Sequence, residues 1–244
     1  MSDSILEIGA AGLDTTDEKV KSLVNRMVNA ETPGFKSSDV TIRSFPVELQ
    51  AAEMKLQSQK PQIEGTFYNH AQGSLNRTGK QTDLAIGASG FFVILCPWGE
   101  GYTRDGRFSI DDQGRVVTTA GNYPLLGKSG PITVNPGSAI DVSETGEIKS
   151  DSQSYGTVRI VDFDGKQALE SVNGVIFRDV EGKLPVKEVE NPRIVQGYVE
   201  GSNAEVVDQM IDLIALTRIY NNDAKIISTR DQSMTKAMDI GKVQ

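Results

Sequence analysis

Few residues of this 244-residue chain have the types and spacing that chemistry requires. "GSLNRTGKQ" (73–81) has the outline of a phosphate loop. Gly73 comes one place too early, however, and Gln81 stands where a Ser or Thr would hold magnesium. Asp162-Phe163-Asp164-Gly165 begins like a calcium loop, but Lys166 and Gln167 occupy the next ligand positions, so it reads as a turn. Triad chemistry needs a base, and His70 is the only histidine; alone in a polar stretch, it reads as a surface residue. Cys96, the only cysteine, follows the apolar run "FFVIL" and reads as a small buried hydrophobe rather than a nucleophile. A pair of carboxylates acting on a glycoside is the enzyme reading that survives. No catalytic residue, metal ligand or cofactor is assigned.

Composition narrows the partners. Hydrophobic residues make up 38% and aromatics only 6%, so any core rests on Val, Ile and Leu. A net charge of -8 argues against nucleic acid, whose phosphates demand a basic face, and against anionic lipid. No apolar run approaches the ~20 residues of a membrane span. "MSDSILEIGAAGLD" lacks a basic leader followed by a long apolar stretch, so no cleaved signal peptide is expected.

Elements able to position side chains fall into three stretches. Leu6, Leu13, Val20 and Met27 recur every seven residues, with Ile5, Leu23, Val24 and Val28 beside them, which predicts an amphipathic helix. Thr15-Thr16-Asp17-Glu18 would be a capping box that breaks or restarts it. Thr32-Pro33-Gly34-Phe35-Lys36 ends it, because proline disfavours helix before it and glycine frees the backbone after it. Residues 36–73 show little periodicity and read as linker or irregular, with a short helix within "FPVELQAAEMKLQ". From Ser74 to Tyr198, short alternating runs are divided by turns at Asp105-Gly106, Gln113-Gly114 and Asp164-Gly165, as in a barrel or sandwich. Ser202-Asn203-Ala204-Glu205 predicts a second helix start. Val206, Met210, Leu213, Thr217, Tyr220, Ala224, Ile227, Asp231, Met234 and Met238 then step by four and three residues as a long seam.

The expected fold class is therefore α+β: N- and C-terminal helices paired as a coiled-coil-like domain, with an inserted all-β domain. The expected boundaries are 1–35 for the first helix, 36–73 for the linker, 74–198 for the β domain and 199–244 for the last helix. A helix pair of this kind keeps exposed apolar surface, which favours copies of itself as partners and points to a polymer subunit. A valine at Gly34 is expected to harm assembly more than β-domain stability.

Four stretches carry a resemblance. "LVNRMVNAETPGFKSSD" resembles the N-terminal signature of bacterial flagellar rod and hook proteins, close to "IANNLANVNTPGFKRS". Asn25, Asn29 and Thr32-Pro33-Gly34-Phe35 match it; Arg26, Met27, Val28, Ala30 and Glu31 depart from it. "GSLNRTGKQTDLAIGASGFFVIL" (73–95) and "YTRDGRFSIDDQGRVVTTAGNYPLLG" (102–127) are similar to the family's β-domain motifs. "VVDQMIDLIALTRIYNNDAKIISTRDQSM" (206–234) resembles its C-terminal helix, with Thr217-Arg218-Ile219-Tyr220 in place of Gln-Arg-Ala-Tyr.

The resemblance implies a non-enzymatic structural subunit of the basal-body rod, an axial tube in the periplasm. Its implied partners are other rod and hook proteins, further copies of itself and the flagellar type III export apparatus. The short 36–73 segment favours the proximal-rod (FlgF) type over the distal-rod (FlgG) type. Together with the heptad pattern, the resemblance implies assembly contacts at Leu6, Leu13, Val20, Asn25, Met27, Asn29, Thr32, Pro33, Gly34, Phe35, Val206, Met210, Leu213, Tyr220, Ala224, Ile227 and Met234. The rival classes are an extracytoplasmic binding module, which would show a saturable ligand site, and a carboxylate-dependent hydrolase, which would lose turnover when one carboxylate is neutralised.

Overall fold

The computed structural model describes residues 2–51, 54–151, 153–180, 182 and 184–241; side chains at 2–8, 43–51, 54–62, 167, 231, 234 and 237–241 lie outside the description. The chain forms two compact units. Unit 1 comprises residues 1–28, 38–67 and 205–244, and unit 2 comprises 29–37 and 68–204.

Unit 1 holds helix α1 (Ser2–Val28), strands β1 (Ser38–Ala51) and β2 (Met54–Tyr68), and helix α2 (Val206–Gly241). β1 and β2 form a two-stranded sheet. The Ser22 hydroxyl donates to the Ser38 carbonyl at 2.9 Å, tying α1 to the start of β1. Gly9 brings α1 close to α2, where an added β-carbon would lie 3.3 Å from the Ile227 side chain.

The expected α+β arrangement, a coiled-coil-like helix pair with an inserted β domain, does not hold. The protein is mostly β, with a helix at each end. The stretch read as linker carries β1 and β2, so the helices share their unit with a sheet. A coiled coil buries its apolar a and d positions. Along α2, Gln209 is buried (6% exposed) while Met210 is 50% and Tyr220 41% exposed. Among the described side chains of α1, Thr15, Thr16 and Leu23 are buried, and Leu13, Val20 and Met27 are half-buried.

Neither predicted capping box forms. α1 runs through Thr15 and Thr16, whose hydroxyls donate back to the Gly12 carbonyl at 2.9 Å, the back-bonding that lets these residues sit inside a helix. α2 begins only at Val206, after the proposed box.

Unit 2 is built of short strands around a six-stranded sheet ordered Glu170–Ser171, Ile176–Arg178, Gly99–Thr103, Phe91–Cys96, Ile160–Phe163, Val186–Glu188. Phe91 to Ile94 are apolar without alternation because both faces of this part of the strand are covered, whereas Leu95 is exposed. Phe92 and Ile94 join one core with Leu125, Ile148 and Val158; Phe91 and Val93 join another with Val161, Phe163 and Phe177. The predicted turns are present: Asp111 accepts from the Gln113 and Arg115 amides, and Gly114 and Gly165 adopt positive φ.

Candidate functional site, a buried ionic junction

The stretches with apparent chemistry are internally occupied. In "GSLNRTGKQ", the Thr78 and Gly79 amides both donate to the Gly197 carbonyl (2.8 and 3.1 Å), so they cradle no phosphate. Asp162 pairs with Lys166 and Asp164 with Lys187 (2.7 and 2.6 Å) at the calcium-like turn. Cys96 is buried, which pushes its thiol up to about 11, away from nucleophilic use at neutral pH. His70 departs from its surface reading. It packs edge-on to Phe91 and Phe177, with ring centroids 5.6 and 5.1 Å away, and Nε2 lies 3.1 Å from the Lys166 carbonyl. Burial, aided by the Lys36 charge, lowers its pKa to about 4.

A buried polar site in unit 2 gathers residues far apart in sequence. After α1, Thr32 donates its amide to the Asn29 carbonyl (3.1 Å) and its hydroxyl to Asn29 Oδ1 (3.2 Å), closing a turn. Gly34 follows at φ +72°, a left-handed conformation that glycine adopts without penalty. A side chain there would overlap the Arg104–Asp105 backbone, and the Gly34 amide donates to the Glu200 carbonyl at 2.8 Å. Phe35 is buried against Gly174, whose missing side chain makes room for the ring.

Lys36 is fully buried. Its ammonium donates to Glu200 Oε1 at 2.6 Å and to the Ala71 carbonyl at 2.7 Å. Arg104, 4% exposed, donates to Glu200 Oε2 at 2.9 Å and to the Ala88 carbonyl at 3.0 Å, with its guanidinium 5.5 Å from the Phe91 ring centre. The Gly73 amide also reaches Glu200 Oε1, at 3.1 Å. One carboxylate thus serves two buried cations. Burial pushes Lys36 and Arg104 below their ordinary pKa values, and the Glu200 charge opposes that shift.

Asn203 completes the site. Its Oδ1 accepts the Ser37 amide (2.8 Å), and its Nδ2 donates to the Asn69 and Ala71 carbonyls. Asp105 accepts three donors of Arg107 at 2.7–3.1 Å, holding the Arg104–Arg107 turn rigid. The Lys36 ammonium and both terminal nitrogens of Arg104 are engaged, while Arg104 Nε is buried with no hydrogen-bond partner. These charges hold together, inside unit 2, both places where the chain passes into unit 1. Removing one partner of such a buried pair costs about 3–5 kcal/mol.

Of the residues implied as assembly contacts, Asn29, Thr32, Pro33, Gly34 and Phe35 come together here in unit 2. Leu13, Ala224 and Ile227 line one groove of about 600 Å³ in unit 1. Val20, Met27, Val206 and Leu213 are half-buried there, and Asn25, Met210 and Tyr220 are exposed. The side chains of Leu6 and Met234 lie outside the described residues. Sequence reasoning missed Lys36, Arg104, Glu200 and Asn203. The available signal was a charge inside or beside each of the quoted motifs, in a chain that shows no catalytic set.

Residues 85–150 match the family described as flagellar hook protein FlgE/F/G D1 domain, and 195–240 match flagellar basal body rod FlgEFG protein C-terminal. The chain is 30% identical over 248 residues to flagellar basal-body rod protein FlgF of Caulobacter vibrioides, covering 99% of each. It is 28% identical to FlgG of Buchnera aphidicola, covering 95% of this chain and 97% of that one, and 28% identical to FlgF of Salmonella typhimurium, covering 94% of each. A match of this length takes in both helices and the junction together, and on it the chain belongs to the FlgF/FlgG family of flagellar basal-body rod proteins.

Proposed function

We propose that the chain is a structural subunit of the bacterial flagellar basal-body rod, of the proximal, FlgF-like type. The observation that carries the structural role is the end-to-end match with rod proteins, spanning both terminal helices. The shortness of the 36–73 segment supports the proximal over the distal position. A non-enzymatic role follows from membership of a family of structural rod proteins.

Its partners are neighbouring rod and hook proteins and further copies of itself, and it reaches the periplasm through the flagellar type III export apparatus without signal cleavage. No described helix is long and apolar enough to cross a membrane. The contact surface is the apolar side of α2 that unit 1 leaves open, including Met210 and Tyr220 from the sequence reading and Val207, Ile211 and Ile214 beside them.

The test is a strain deleted for this gene, complemented with the full chain and examined by electron microscopy of isolated basal bodies. Rods that stop short without the protein and lengthen with it are expected; normal rods in the deletion strain would refute the proposal. Secretion of the chain that persists without the type III apparatus would refute the export route alone.

A further inference from the structure

The hairpin loop that seats Phe35 contains the only Asn-Gly pair in the chain, Asn173-Gly174. It joins strands Glu170–Ser171 and Ile176–Arg178. Asn173 is exposed. In a flexible chain an Asn-Gly pair is the sequence most open to cyclisation, because glycine puts no side chain in the path of its own amide nitrogen. The Gly174 nitrogen attacks Asn173 Cγ and gives up its proton to solvent; the side-chain –NH2 takes up a proton from solvent as its C–N bond breaks and leaves as ammonia. Water then opens the succinimide at either carbonyl, producing aspartate or, with an extra methylene in the backbone, isoaspartate.

In the folded loop each participant is engaged. The Gly174 amide donates to Ser171 Oγ at 2.6 Å. Asn173 Oδ1 accepts the Val175 and Ile176 amides at 3.2 and 2.9 Å. Gly174 is fixed at φ +78°, its carbonyl accepts the Lys36 amide at 3.2 Å, and the Phe35 ring fills the space where a side chain would lie. Cyclisation would have to break the amide's bond to Ser171, rotate the Asn173 side chain out of its two bonds and shift the backbone against Phe35.

We propose that Asn173 is a site of spontaneous deamidation, open while the chain is unfolded and blocked once the hairpin loop closes on Phe35. Isoaspartate formed beforehand lengthens the loop by one backbone carbon and spoils the seat, so the site records how long a chain has waited unfolded.

The experiment uses the full chain, folded in buffer and unfolded in urea at the same mildly alkaline pH. Conversion at Asn173 is followed by peptide mass and by enzymatic methylation of isoaspartate. The unfolded chain is expected to convert, and the folded chain to lag by roughly tenfold or more. Ser171→Ala should speed conversion of the folded chain by roughly fivefold, the loss of one hydrogen bond, and leave the unfolded rate unchanged. Equal rates in the two states, or a Ser171→Ala chain as slow as the parent when folded, would overturn the proposal. Isoaspartyl chains should also refold to a lower urea midpoint than Asn173→Asp, which carries the charge without the extra carbon. Equal midpoints would overturn the link to the Phe35 seat.

Discussion

Glu200 and Lys36 make unequal demands on the buried junction. Glu200→Gln strips the counter-charge from two buried cations at once and should lower unfolding stability by about 3–5 kcal/mol. Lys36→Met removes one cation but leaves the carboxylate with Arg104 and the Gly73 amide, so it should cost less. Urea unfolding of both variants checks the order, and a Lys36→Met chain weaker than Glu200→Gln would contradict it. Gly34→Val illustrates a limit of sequence reading. The motif suggested a turn whose mutation would harm assembly; its left-handed φ and contact with the Arg104–Asp105 backbone show that stability of unit 2 should fall first, by about 3 kcal/mol or more. His70 gives a pH signature. Its folded pKa, about 4, lies below the ordinary 6.5, so the unfolded state takes up the proton first on acidification. The stability it supports is complete above 6.5 and is lost as pH falls towards 4, about 2 kcal/mol after allowance for residual solvent exposure. The difference between wild type and His70→Phe, measured by urea unfolding across that range, should carry this slope; parallel curves would show that the ring is not buried neutral.

Helix α2 presents its apolar residues in two sets, and they should fail differently. Leu213 is half-buried, so Leu213→Asp should both loosen the isolated chain and abolish rods. Ile211 is 62% exposed, so Ile211→Asp should change monomer stability by no more than about 0.5 kcal/mol yet still prevent rod formation. Asp212→Ala, also exposed, is the neutral control. Motility and basal-body yield, read beside the unfolding curve of each purified chain, separate the cases; an Ile211→Asp strain with normal rods would remove that face from the assembly surface. Both helices were legible from their apolar spacing, but which face would be covered was not. A four-three repeat records that a stripe is apolar, while Gln209 is buried by its surroundings and not by its own hydrophobicity. β1 and β2 were missed for a related reason: "FPVELQAAEMKLQ" fits a helical period as well as an extended one, and the strand pairing that decides between them is not encoded in either strand alone.

At the scale of the whole molecule, the short strands and turns of unit 2 could be read from glycine punctuation and alternation, but its true extent could not. A β domain limited to residues 74–198 omits Phe35, Lys36 and Glu200, which lie in its core or its junction. The Ser37 carbonyl accepts the Asn69 amide at 2.8 Å, so the two ends of the excursion into β1 and β2 are neighbours. A chain with residues 38–67 replaced by a short glycine bridge and ending at Ala204 should therefore unfold cooperatively, and fragment 74–198 should be markedly weaker. Equal urea midpoints would show that the junction contributes nothing to unit 2.

The junction also sets an order in time. Lys36 and Glu200 are 164 residues apart, and Arg104 and Glu200 are 96 apart. Contacts of such long range form late, since the entropy of closing the intervening chain is lost before they give anything back. A chain emerging N-terminus first, from a ribosome or from a narrow channel, already carries two cations destined for burial but not yet the carboxylate that pairs with both. Until residue 200 arrives, desolvating Lys36 and Arg104 is uphill, so unit 2 is expected to close only after most of it has emerged. The ion cluster that locks the finished subunit is thus expected to delay its own completion until nearly the whole of unit 2 is present.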